Sequence, residues 1–239
     1  VEEPLEAQPP GGERAGEVGL SPLEKAHAAA PKLKIFPLPS VVLFPGAAQP
    51  LHIFEPRYKQ MVADALSSDG VFGMAQLALG WERDYGGSPE LLPLLSVGAI
   101  SVHQLGDDGK YNLVLTGVCR ARVLQEWPEQ QGRLYREVEA ELLPDPVFEG
   151  PEEAQLRQAV VELTGRLPPE VAARLTKVTS RVRGGAFVDV LASTLVSDVP
   201  RRYALLCELD VKKRMQRLLE EVSGVMTRLK PTRSDGFVN

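Results

Sequence analysis

Between residues 33 and 143 the apolar positions come in short runs broken by proline and glycine, and beyond residue 150 they recur every three or four residues. The first pattern predicts strands and the second helices. Runs at 34–36, 41–44 and 50–54 read as strands. Pro37, Pro39 and Pro45 remove ladder N–H donors there and so favour edges and corners over a flat central sheet. Pro56 sits in the first turn of a helix whose apolar face is Tyr58, Met61, Val62, Ala65 and Leu66, and residues 67–70 stop it. Strand patterning resumes at 71–79, 97–105, 117–124 and 135–143, with Arg120 and Arg122 on one face of their strand. Asp108-Gly109, between two such runs, predicts a hairpin closed by a two-residue turn.

In the helical half, Pro151-Glu-Glu153 opens a helix with acids at the positive end of its dipole. A second helix is expected over 169–179. Gly184-Gly185 then breaks the chain, Phe187, Val190, Leu191 and Leu195 mark a third, and Asp198 and Pro200 start a fourth. The last helix carries Val211, Met215, Leu218, Leu219, Val222, Met226 and Leu229 on one face, with Asp210 placed to cap it. The expected organisation is a mobile Pro/Gly/Glu-rich tail over 1–31, in which a short helix from Ser21 is the one element foreseen. A β-rich unit over 32–148, a helical unit over 149–230 and a short tail over 231–239 follow. The fold class is α+β: a small, strongly bent barrel with one embedded helix, then a helical bundle.

Composition narrows the function more by exclusion than by assignment. The chain has 239 residues and 44% apolar residues, with no run near the roughly 20 needed to span a bilayer and no basic-then-apolar leader, so a soluble cytoplasmic protein is expected. Cys119 and Cys207 lie in apolar-patterned segments and read as buried thiols in a reducing compartment. Residues 31–150 carry a net charge of −5 and residues 151–230 a net +4, so the helical end is the basic one. The three histidines, His27, His52 and His103, lack metal spacing, and His52 reads as a strand histidine bonded to neighbouring backbone. No phosphate loop occurs, and Ser88 lacks the glycines of a nucleophile elbow. No catalytic residue, cofactor or metal is therefore expected. Two surface features remain. Trp81, Tyr85, Leu91, Leu92 and Leu94, on a long loop over 80–94, form either a protein-binding patch or a lid on the barrel. Arg181 and Arg183, just before Gly184-Gly185, are the nearest thing to an anion site, against the plainer reading of a glycine linker with solvated arginines. Lys212, Lys213, Arg214 and Arg217 read as a solvated helix face partly neutralised by Glu220 and Glu221.

The run Phe36-Pro-Leu-Pro-Ser-Val-Val-Leu-Phe-Pro-Gly46, followed by Leu51-His-Ile-Phe-Glu-Pro-Arg-Tyr58, resembles the opening of the N-terminal, substrate-binding domain of Lon proteases. Leu115-Thr-Gly-Val-Cys-Arg-Ala-Arg-Val-Leu124 and the stretch from Gly185 through Asp189 to Asp210 extend the resemblance over nearly all of the chain from Lys32. The resemblance implies a PUA-like twisted pseudo-barrel followed by an α-helical bundle. In full-length Lon an AAA+ ATPase and a Ser-Lys protease follow this region. Neither is read in this sequence, so the implied role is a stand-alone, non-catalytic module that binds unfolded or apolar polypeptide, or a specific protein partner, as an adaptor in proteolysis or quality control. The alternative is an RNA-binding PUA-like module, against which the −5 charge of the β region argues. An unrecognised hydrolase comes last, for want of a nucleophile and base at known spacing.

Overall fold

The computed structural model describes residues 20–84, 87–128 and 130–229. Six strands, β1 (Leu33–Leu38), β2 (Ala48–Ile53), β3 (Val71–Leu77), β4 (Leu91–Leu105), β5 (Tyr111–Glu126) and β6 (Arg136–Leu143), form one sheet in the order β2-β5-β4-β3-β1-β6. A further β5–β6 pairing closes β5, β4, β3, β1 and β6 into a barrel and leaves β2 outside on one flank of β5. β5 does both jobs because it is long. Residues 111–116 pair with β2, while Arg120 to Glu126 pair with β6. The PUA-like expectation thus holds, with the barrel fully closed.

Alternation along the strands sorts side chains between barrel and surroundings. Leu33, Ile35, Val71, Ala75, Leu95, Val97, Cys119, Ala121 and Val138 fill the interior. Many of these are small, as a five-stranded barrel requires. β3 is buried along its whole length, because its other face, Phe72 and Met74, packs with Tyr58, Met61 and Val62 of α2 (Pro56–Leu66). One expectation for the tail fails at this barrel. Residues 20–31, read from composition as mobile, contain the short helix foreseen from Ser21, α1 (Pro22–Ala29), held by a reciprocal Ser21–Glu24 capping box, and its Ala26 and Ala29 join the barrel core. Residues 1–19 and 230–239 lie outside the described residues.

Residues 41–44 are the second correction: they are not a strand. Val42 and Phe44 pack into the helical core and Leu43 into the core around α2, so consecutive residues serve two cores and no ladder partner fits. Side chains take the carbonyls instead. Gln76 of β3 donates to Val41 O, Ser96 of β4 donates to Leu43 O, and Arg202 donates to Val42 O at 2.9 Å. The Asp108-Gly109 hairpin forms, but through a five-residue loop, 106–110, in which Gly109 alone has positive φ (71°). β4 also begins earlier than the apolar run at 97–105 suggests, and this shortens the preceding connection to 78–90.

The helices α3 (Pro151–Thr164), α4 (Pro169–Thr179), α5 (Gly184–Leu195), α6 (Val199–Cys207) and α7 (Val211–Arg228) form the bundle. Asp210 caps α7 by accepting from Lys212 and Lys213 N–H at 2.9 and 3.2 Å. The bundle docks on the barrel through buried charge. Arg120 of β5 shares its strand face with Arg122, but the helices cover Arg120 alone: it is 1% exposed, and Asp189 of α5 and Arg214 of α7 are both 0%. Arg120 donates to both Asp189 carboxylate oxygens (2.8 and 2.7 Å) and to Leu206 O (2.8 Å). Arg214 lies 3.2 Å from Asp189 Oδ1, donates to Glu208 O at 2.9 Å, and is paired with Asp145 from the β6–α3 connection. Arg214 is therefore not part of a solvated face. The bases beside it pair between elements and not along α7: Lys212 with Glu152 and Arg217 with Glu208, while Glu221 takes Arg201. A Cβ on Gly185 would stand 2.0 Å from Asp145 Oδ2, so this glycine lets the backbone of α5 meet the network.

Burial works against the charge on Arg120, but its bonds to Asp189 and the field of Asp145 outweigh it and raise the guanidinium pKa above its ordinary value. Burial pushes the Asp189 carboxyl up while Arg120 and Arg214 pull it back. With a guanidinium that keeps its proton bonded to both oxygens, the geometry supports the ionised pair. Nearby, Glu153 of α3 accepts from the Gly184 N–H at 2.8 Å and from Arg157 at 2.7 Å. Burial opposes its charge too, yet these two donors hold its pKa below the usual carboxylate range.

Arg120→Met should cost about 3–5 kcal/mol in urea denaturation by stranding Asp189, and Arg120→Met with Asp189→Leu should cost clearly less than the two single changes added together. Additive losses would mean that the pair is not coupled. Glu153→Gln should cost about 1.5–3 kcal/mol at neutral pH. Because the folded pKa is lowered, this contribution is present above the ordinary value of about 4.3 and is lost as pH falls through the lower folded pKa. The stability gap between wild type and Glu153→Gln should therefore narrow only in acid, as followed by thermal melts across pH.

Candidate functional site

Past the barrel, the ends of β4 and β5 run on as an arm, with β2 on its outer flank. One face of the arm is buried: Ile53, Leu113 and Leu115 pack with α2. The other face looks outward, because exposure in β2 falls on Ala48, Pro50 and His52, and the β5 partners of these residues are Thr116, Val114 and Asn112. Every residue of β4 from Ser101 to Leu105 is exposed. Side-chain pairing ties the strands of this face together, across a register shift between Ile100 and Val102. His52 Nδ1 lies 2.7 Å from Asn112 Oδ1, Thr116 donates to Ser101 Oγ at 3.1 Å, and Ser101 donates to Val114 O at 3.0 Å. His52 is thus satisfied by the side chain opposite and not by backbone.

Two large apolar groups stand on or beside this face: Phe54 is 58% exposed and Val102 63%, while Leu105, also exposed, is registered with Tyr111 and so belongs to the opposite side. The Phe54 ring tilts against His52 with centroids 5.9 Å apart. Pro50, His52, Val102, Asn112 and Val114 line a shallow groove of about 420 Å³. Among the described residues β2 has no strand on its far side, and Pro50, which lacks an N–H, is at home on such an edge. An apolar groove beside an unpaired strand edge suits an extended polypeptide, which adds main-chain bonds to side-chain burial. Sequence reasoning missed this face. The run 50–54 is apolar at both parities, so period two alone leaves Phe54 unassigned to the inside or the outside.

The residues singled out from sequence are placed differently. Leu91, Leu92 and Leu94 belong to β4 and not to a loop, and all three are half-buried. Leu91 packs on the barrel core, and the backbone N–H and C=O of Leu94 both bond the Tyr203 hydroxyl of α6, at 3.1 and 3.2 Å. Trp81 is half-buried in a 3-10 turn, while Leu79 beside it is fully exposed. Tyr85 lies outside the described residues. Arg181 and Arg183 are exposed, but they line different grooves. The Gly184 N–H that they flank is taken by Glu153, so a carboxylate of the chain itself fills the place foreseen for an anion. Another cleft, of about 310 Å³, gathers Arg57, Arg133 and Arg136, each paired with an acid: Glu55 at 2.9 Å, Glu137 at 2.5 Å and Glu126 at 2.5 Å.

Burial pushes the Cys119 thiol up to about 11, and burial likewise raises Cys207, so neither is a ready nucleophile. Among the described residues no group of three or more His, Cys, Asp or Glu is placed to hold a metal, and no helix is long and apolar enough to cross a membrane.

The profile of the ATP-dependent protease La (LON) substrate-binding domain matches residues 32–224. The chain is 30% identical over 200 residues to Lon protease 2 of Myxococcus xanthus, covering 79% of this chain and 23% of that protein. It is also 30% identical over 206 residues to Lon protease 2 of Sorangium cellulosum, covering 81% and 24%. The chain therefore spans about a quarter of the length of the curated relatives it matches. Among solved structures, the Lon N-terminal domain protein from Xanthomonas campestris superposes with a TM-score of 0.55 at 27% identity, covering 79% of this chain and 97% of that one. The N-terminal domain of the Mycobacterium avium complex Lon protease gives 0.62 at 16% identity, covering 80% and 98%, and shares the fold. The chain belongs to the ATP-dependent protease La (LON) substrate-binding domain family.

Proposed function

We propose that this protein captures extended, apolar polypeptide segments on the outer face of the β2–β5–β4 arm and presents them to a proteolytic or chaperone machine. The observation that carries the reading is the exposure of Val102 on β4 and of Phe54, directly after β2, beside an apolar groove on hydrogen-bonded strands. Isolated exposed apolar residues are ordinary; a cluster on a rigid sheet is a binding surface. The family assignment supports a substrate-recognition module, and the arm supplies the physical means. Burying a large apolar side chain contributes about 1.5–3 kcal/mol, so two such groups suffice for a measurable interaction that remains reversible.

Fluorescence anisotropy with a labelled, permanently unfolded apolar polypeptide tests this. Phe54→Ser with Val102→Ser should weaken binding by at least about tenfold. The melting temperature should hardly change, since both side chains are already exposed. Trp81→Ala, in the turn first suggested by sequence, should leave binding unchanged. Equal binding by wild type and the double variant, or loss with Trp81→Ala alone, would overturn the assignment to the arm.

A further inference from the structure

A second groove, of about 730 Å³, lies between α4, α5 and residues 42–49, and its charge is one-sided. Arg174, Lys177, Arg181 and Arg202 line it, and among the described residues no acidic one does. Arg174, Lys177 and Arg181 are exposed, and among the described residues none of the three forms an ion pair. This is unusual for the molecule: the arginines of the cleft at Arg133 are each paired with a carboxylate, and Arg183 sits in the groove that holds Glu153. The nearest acid along α4 is Glu170, a turn before Arg174, and it does not line the groove. The C-terminal end of α4 stabilises Lys177 through the helix dipole, but that accounts for one cation of the four. Arg202 is held against the groove wall by its bond to Val42 O and by the Phe44 ring 5.8 Å away, and its Nε is buried without a hydrogen-bond partner.

Between the cations Ala47, Val178, Val182 and Val190 supply apolar surface, with Gln49, Ser193 and Thr194 also in the lining. We infer that this groove docks an acidic polypeptide segment that alternates carboxylates with small or branched apolar side chains. The charge complementarity selects the carboxylates, and the valines take the intervening apolar groups. A nucleic acid fits less well. Among the described residues no exposed aromatic ring lines the groove to stack a base, and Phe44, the ring beside Arg202, is fully buried. This inference stands apart from the apolar arm, since it uses neither Phe54 nor Val102.

The experiment uses the full chain and a short fluorescein-labelled peptide of alternating glutamate and valine, followed by anisotropy. Binding is expected, weakening as salt is raised, and a lysine–valine peptide of the same length should not bind. Arg174→Glu, Lys177→Glu and Arg181→Glu together should weaken the acidic peptide by at least about tenfold, with the melting temperature retained because all three side chains are exposed. Arg174→Gln and Lys177→Gln singly should give graded losses and serve in place of the triple variant if it folds poorly. The same substitutions should leave binding of an uncharged apolar polypeptide unaltered, so a failure here is separable from a failure of the arm. The inference is overturned if the acidic peptide binds the triple variant as well as wild type. It is equally overturned if single-stranded RNA binds more tightly than the peptide and loses that binding with the same substitutions.

Discussion

The molecule is organised by the buried charge that joins Arg120, Asp189, Arg214 and Asp145. Two guanidiniums and two carboxylates leave the network without net charge, and main-chain carbonyls at Leu206 and Glu208 take further N–H groups from the arginines. Desolvating four charges is expensive, and the compensation comes from the bidentate Arg120–Asp189 bonds and the opposite charges held beside them. Apolar surfaces tolerate sliding and this network does not. It therefore sets how α5 and α7 sit on β5, and Gly185 follows from it as the residue that lets a helix backbone approach that closely.

The same docking gives residues 41–44 their form. Two barrel strands and one helix each supply a side chain to a carbonyl of this segment, and its alternate side chains fill two separate cores. Both proposed binding surfaces adjoin it. The basic groove uses residues up to Gln49, and the groove on the arm begins at Pro50. Each surface is thus borne on backbone held from several directions, which lowers the conformational entropy lost when a flexible polypeptide is bound.

Much of the architecture was legible because it rests on local patterning. The change of apolar period near residue 150, the Pro56 helix start, the Asp210 cap and the hairpin at Gly109 are all set by neighbours within a turn or two. The residues missed or misplaced share the opposite property. Residues 41–44 look like a strand, because β-rich composition cannot reveal that two cores compete for adjacent side chains. Arg120 and Arg122 are indistinguishable by pattern, and only the covering helices make one a buried anchor and leave the other in solvent. Arg174, Lys177 and Arg181 share a helical spacing that was available to a reader of the sequence. Their significance depends on which acids lie nearby, and those positions come from other elements.

What the sequence determined by itself was most of the elements, their order and the family, since propensity, capping and hydrophobic period act over a few residues. What the tertiary structure alone decided was the fate of each charge and of each exposed apolar group. Whether Arg214 is an anchor, Glu153 a substitute for a bound anion, or Phe54 a contact surface depends on partners far away along the chain, because electrostatic and packing energies follow distance in space.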